Sequence, residues 1–194
     1  ASDVYKRQVL IETVSTLISA GTELGTQEQK RTDSFVPGYS NAGTIIALGS
    51  DVSNYVVGDR VLSLGRHATH VTVGATAQSL AIIPNGVTFD QGAYGVLGSV
   101  SLHGVRRAKV ELGEFVVITG MGLVGQLALQ LVAQTGCEIL IALDLSNRRL
   151  EVAKEAGATH ILNPQYVDVY SEINRITEGR GIDLSLIHIS EPTR

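Results

Sequence analysis

The chain has 194 residues, 44% hydrophobic and 18% charged, with 21 glycines and 4 prolines. That composition is globular and excludes a collagen, a coiled coil and a disordered tail. A net charge of −4 argues against a nucleic-acid or anionic-membrane binder, and the single cysteine, Cys137, excludes a disulfide framework and fits a reducing, cytoplasmic compartment.

The two ends mirror each other at the level of DNA. Asp3-Val4-Tyr5-Lys6-Arg7-Gln8 can be encoded by a stretch whose reverse complement translates as Leu-Ser-Leu-Ile-His-Ile, and Leu184 to Ile189 carries those residues. Positions 1–8 and 184–194 are therefore expected to be translated library-adapter sequence, placed outside the fold. The native stretch is then 9–183, an internal piece of a longer chain.

Val9 to Val14, Ala42 to Leu48, Arg60 to Leu64 and His70 to Val73 read as strands, bounded by turn residues that include Asn85-Gly86. Thr88 and Gln91 have capping-box spacing, and a helix through Leu97, Val100, Leu102 and Val105 is expected to follow. From Phe115 the texture becomes regular. Phe115 to Ile118 is a short apolar strand, and a helix through Val124, Leu127, Ala128, Leu131 and Val132 ends near Gly136. Ile139 to Leu143 is the next strand, Ser146 caps a helix that stops at Gly157, and His160 to Leu162 is a third strand. Tyr170 to Glu178 reads as a helix, and Gly181 to Asp183 as the start of a fourth strand. Strand and helix alternating at this pace give an α/β fold with a parallel sheet. No apolar run is long enough to cross a membrane.

Between the first of these strands and its helix lies Gly120-Met121-Gly122-Leu123-Val124-Gly125, and Asp144 ends the next strand nineteen residues after Gly125. This is the context in which a glycine-rich turn binds a dinucleotide. Gly120 allows the tight turn, Gly122 removes a side chain that would block the pyrophosphate, and Gly125 lets helix and strand approach. Leu123 and Val124 open a helix whose N-terminal N–H groups face the phosphates. Asp144 can accept from both ribose hydroxyls and repels a 2′-phosphate, which favours NAD over NADP. Arg148 and Arg149 stand close enough to weaken that preference.

These segments resemble the medium-chain dehydrogenase/reductase family of alcohol, sorbitol and threonine dehydrogenases. The similarity lies in Ser19-Ala20-Gly21-Thr22-Glu23, Pro37-Gly38-Tyr39-Ser40-Asn41-Ala42-Gly43, Val57-Gly58-Asp59-Arg60-Val61, Leu102-His103-Gly104-Val105-Arg106-Arg107-Ala108 and the glycine loop. The resemblance implies a partial β-rich, chaperonin-10-like (GroES-like) catalytic domain over 9–96. It implies a linking helix and the first half of a Rossmann doubly wound sheet over 97–183. An oxidoreductase that exchanges a hydride with a nicotinamide, on a small polar alcohol or carbonyl substrate, is the implied activity. The full-length protein is expected to be a homo-oligomer, with no nucleic-acid or membrane partner.

The family's zinc ligands are not matched. Ala20, Tyr39, Ser40 and Val96 stand at the aligned positions, and no four-cysteine lobe follows Val61, so neither zinc is expected. His67 and His70, three apart, point to opposite faces if both lie on a strand. Without zinc, Thr22 (at the family's proton-relay hydroxyl), Tyr39 (replacing the zinc-binding histidine) and His67 are the candidate catalytic groups, with Arg149 joining the cofactor residues. Glu23 is expected to pair with a cleft residue. His103 reads as structural and Cys137 as inert. A zinc-free enone or quinone reductase using NADPH, and a dinucleotide-binding sensor without chemistry, remain as alternatives.

Overall fold

The computed structural model describes residues 5–28 and 36–187. The chain divides between Val96 and Leu97 into two compact units.

The first unit is a five-stranded antiparallel sheet. Its strands are β1 (Gln8–Thr16), β2 (Asn41–Leu48), β3 (Arg60–Ser63), β4 (His70–Gly74) and β5 (Leu80–Ile82), in the order β4-β1-β2-β3-β5. Alternation sets its core: Val9 and Ile11 on β1 are fully buried while Glu12 is exposed, and Ile45, Val61, Val71 and Leu80 join them on the same side. Gly43 permits close strand approach, since a Cβ there would stand 2.2 Å from the Glu12 carbonyl oxygen. Two elements of this unit differ from the sequence reading. Helix α1 (Ala20–Glu28) was not expected; Gly21 and Gly25 within nine residues hide it from propensity. The capping box at Thr88 is present, with Thr88 Oγ1 accepting from Gln91 N and Gln91 Oε1 accepting from Thr88 N. It opens only the short α2 (Phe89–Ala93), and a separate α3 (Gly95–Ala108) follows after Tyr94.

The second unit holds four parallel strands. These are β6 (Phe115–Thr119), β7 (Ile139–Leu143), β8 (His160–Leu162) and β9 (Leu184–Ile187), in the order β8-β7-β6-β9. Helices α4 (Leu123–Val132), α5 (Asn147–Glu155) and α6 (Val169–Ile176) link them. Four of the five β6 residues are buried, as both faces of a parallel sheet must be. On one face Val116, Ile118, Leu140 and Ala142 pack with Leu129 and Val132 of α4 and Leu150 and Ala153 of α5. On the other, Val117, Ile141, Leu143 and Leu162 pack with Val169, Ile173 and Ile176 of α6. The sheet is therefore doubly wound.

Past Gly181–Asp183, where the sequence reading began a fourth strand, the chain runs on as a strand. The residues set aside as lying outside the fold form β9 and pair in parallel with β6 through Val116↔Leu184 to Thr119↔Ile187. The physical reason is local: Leu184 and Leu186 alternate with Ser185 and pack onto the core beside β6. Residues 1–4 and 188–194 lie outside the described residues. At the other end, Tyr5 to Gln8 enters β1 by a turn, with Gln8 N donating to Tyr5 O at 2.9 Å.

Among the described residues no helix is long and apolar enough to cross a membrane.

Candidate functional site

The strand order reverses at β6, with β7 on one side and β9 on the other. In open α/β sheets ligands bind at such a switch point, beyond the carboxyl ends of the strands. The glycine loop leaves β6 at that end. Gly120 has φ of +88°, a conformation that glycine adopts without strain. Its N–H donates to Leu143 O at 2.7 Å, tying the loop to β7. A Cβ at Gly125 would lie 1.9 Å from the Gly120 carbonyl oxygen, so this helix residue must be glycine for the loop to close. Gly122 is different: it is the N-cap of α4, and a Cβ there would meet nothing within 4 Å. The structure alone leaves room for a side chain at Gly122. Leu123, Val124 and Gly125 follow in the first turn, whose N–H groups have no intrahelical acceptor.

Asp144 sits directly behind this loop. One carboxylate oxygen accepts from Met121 N at 2.7 Å and the other from Ser146 N at 2.7 Å. Arg149 Nη1 lies 3.7 Å from Oδ2, and the Asp144 side chain is only 8% exposed. Asp144 thus fixes the glycine loop and the entry to α5 at once, a role that the sequence reading did not assign. Each oxygen keeps a second acceptor direction for a sugar hydroxyl. Ser146 is at the N-cap of α5, as expected, but its hydroxyl makes no capping bond; its N–H is held by Asp144 instead. Met121, Gly122, Leu123, Ser146, Arg148 and Arg149 line an open cavity of about 500 Å³. Arg148 and Arg149, which the sequence reading placed close to Asp144, both belong to that lining.

The second cluster lies in the first unit. Ser19 N–H donates to Glu23 Oε1 at 2.8 Å across the first turn of α1. Glu23 Oε2 meets His67 Nε2 at 2.9 Å, and both side chains are largely buried. His67 N donates to Pro37 O at 2.9 Å. Gly38, at φ +108°, lies against the same ring: a Cβ there would stand 2.5 Å from His67 N and 2.8 Å from Cγ and Cδ2. The turn that carries Tyr39 and the helix that carries Thr22 are thus both anchored at His67, Tyr39 being half-buried and Thr22 exposed. The partner of Glu23 is His67.

The aligned metal positions offer a poor donor set. Ala20 has no ligand atom, Val96 none, and the buried Ser40 hydroxyl donates to the Ala93 carbonyl. His70 begins β4, exposed, and His103 is exposed on α3. Among the described residues no three of His, Cys, Asp and Glu gather as a metal site. Burial pushes the Cys137 thiol above its ordinary range, which makes it a weak nucleophile at neutral pH.

Known proteins resemble this chain in sequence and in fold. Residues 124–194 match the sequence profile of the zinc-binding dehydrogenase family. D-guloside 3-dehydrogenase of Escherichia coli is 36% identical over 143 residues, which is 73% of this chain and 41% of that protein. Sorbitol dehydrogenase of Bacillus subtilis is 33% identical over 180 residues, covering 78% of this chain and 51% of its own. Among solved structures, an Escherichia coli oxidoreductase/dehydrogenase of unknown specificity superposes with a TM-score of 0.86 at 21% identity, over 95% of this chain and 64% of that one. The 2R,3R-butanediol dehydrogenase of Bacillus subtilis gives 0.82 at 24% identity, over 99% and 66%. These structural likenesses show the fold. The chain spans about half the length, or less, of the two curated relatives.

Proposed function

The chain belongs to the medium-chain dehydrogenase/reductase family, and from that premise we propose that the full-length protein is an NAD(H)-dependent, zinc-independent oxidoreductase. It interconverts an alcohol and a carbonyl on a small polar molecule. The observation that carries this reading is the glycine loop at the switch point: positive φ at Gly120, backbone contact at Gly125 and an open N-cap at Gly122. These residues fit a dinucleotide. Gly120, Gly122, Leu123, Val124 and Gly125 would cradle the pyrophosphate with backbone N–H groups, and Asp144 would receive the adenosine ribose. The bound nicotinamide supplies the hydride acceptor or donor.

Zinc independence rests on donor chemistry. Two of the four aligned positions, Ala20 and Val96, have no ligand atom, and a metal held by Tyr39 and Ser40 alone lacks the usual three or four protein ligands. The work of polarising a carbonyl oxygen and moving its proton then falls to Thr22, Tyr39 and His67. The protein is expected to act as a homo-oligomer in the cytoplasm.

Arg148 and Arg149 in the cavity lining support a second cofactor reading, in which NADPH serves a reductase. An assay of the full-length protein against alcohols with NAD and NADP, and carbonyls and quinones with the reduced cofactors, tests both. The expected result is NAD-linked alcohol oxidation that survives chelation, in protein without stoichiometric zinc by elemental analysis. Activity lost on chelation and restored by zinc would overturn the reading. Preference for NADPH and quinones would select the alternative.

A further inference from the structure

We propose that Gln126 is a positioning residue for the adenosine end of the cofactor; this rests on the dinucleotide reading above. Gln126 stands in the first hydrogen-bonded turn of α4, its N–H donating to Gly122 O at 2.9 Å. Its side chain crosses to α5, where Nε2 donates to Arg149 O at 2.8 Å. The other end of the same amide, Oε1, is buried and makes no hydrogen bond. Buried polar atoms are nearly always paired, and an unpaired one costs stability. An apolar side chain of the same length, lining the cavity with Met121, Leu123 and Val152, would carry no such cost. The donor end is therefore what the glutamine serves, and its oxygen is left without a partner as the consequence.

What that donor holds is the first turn of α5. The N-cap Ser146 supplies no side-chain cap, so the turn is tied from outside. Asp144 accepts from Ser146 N at 2.7 Å at its start, and Gln126 donates to Arg149 O three residues on. Arg148 and Arg149 leave this turn with exposed side chains and enter the cavity beside the glycine loop. The Arg149 guanidinium has a weak tie to the loop: Nη1 is 3.7 Å from Asp144 Oδ2, beyond hydrogen-bond range, and the side chain is 60% exposed. Its aim is therefore set by the backbone it springs from. Two guanidinium groups beside a carboxylate suit an adenosine phosphate, with the acid accepting from ribose hydroxyls and the arginines donating to phosphate oxygens. Gln126 acts on that ligand through the Arg149 backbone, and every group involved belongs to the second unit.

Calorimetric titration of NADH and of AMP into the full-length protein and its Gln126→Met variant tests this. Methionine keeps the length of the side chain and sheds both the donor and the unpaired oxygen, so the melting temperature should stay within about 2 °C. NADH and AMP share the adenosine end, and both should bind about threefold to tenfold more weakly, the size of one net hydrogen bond. In an Arg148→Ala/Arg149→Ala background the same substitution should have no further effect, because no guanidinium is left to aim. A merely structural glutamine would give equal losses in both backgrounds. Gln126→Leu, which also lacks the donor, carries the same test should the methionine variant fail to fold. Unchanged ligand affinity in a folded variant, or a loss as large without the two guanidinium groups as with them, overturns the inference and leaves the dinucleotide reading standing. An unmutated protein that binds neither NADH nor AMP overturns both.

Discussion

Replacing Asp144 by asparagine separates its two roles. The carboxylate now accepts from two backbone donors, Met121 N and Ser146 N, each at 2.7 Å. An asparagine has one acceptor oxygen, so one of these N–H groups loses its partner in a nearly buried site. A charge-assisted bond lost there, with a donor left unpaired, costs about 1.5–3 kcal/mol. Arg149, 3.7 Å from Oδ2 but itself 60% exposed, adds little to that figure because water screens it. Urea denaturation of the unliganded full-length protein should show the stability loss. Calorimetric titration should show the second effect: with the charge gone, NAD binding weakens and NADP is no longer repelled. The ratio of the two dissociation constants should narrow by about tenfold to a hundredfold, since each 1.4 kcal/mol is a factor of ten. Unchanged stability together with an unchanged ratio would show that Asp144 neither anchors the loop nor reads the ribose.

Gly125→Ala, whose Cβ would stand 1.9 Å from a backbone oxygen, should destabilise the second unit by roughly 3 kcal/mol or more and abolish cofactor binding, read by denaturation and titration. Thr88→Ala removes half of a formed capping box and should lower stability by about 1 kcal/mol without touching cofactor affinity. His160 gives a pH signature. Burial first, then Lys154 and Arg175, hold its imidazole below the ordinary value of 6.5, so the unfolded chain takes up the proton before the folded one. Stability should therefore fall as pH drops below 6.5, and melting curves at about pH 7.5 and 5.5 should differ less for His160→Gln than for wild type.

The parallel sheet was legible because its signals are local and agree with one another. An apolar strand, a glycine turn, a 3.6-residue apolar stripe and a stopping glycine each point to the same unit, and β6, α4 and β7 lie where they indicate. Helix α1 was not legible, because its glycines carry no helical signal and its stability comes from tertiary contacts such as Glu23 with His67. That contact joins residues 44 positions apart, which periodicity cannot see; only the motif order suggested that Glu23 would find a partner. The double duty of Asp144 was hidden for a similar reason. Its spacing from Gly125 points to a ribose contact; its bond to Ser146 N is a local turn two residues on, whereas its bond to Met121 N appears only when β6 and β7 lie side by side.

The central claim, that the glycine loop binds a nicotinamide dinucleotide, is tested most directly by titrating NADH into the full-length protein and its Gly122→Ala variant. A Cβ at Gly122 meets no atom within 4 Å of the protein itself, so unfolding free energy should change by less than about 1 kcal/mol. If the pyrophosphate lies against that N-cap, the added methyl should weaken NADH binding by about tenfold, the effect of roughly 1.4 kcal/mol of crowding. NADH binding that is absent from the wild type, or identical in wild type and variant, would contradict the account.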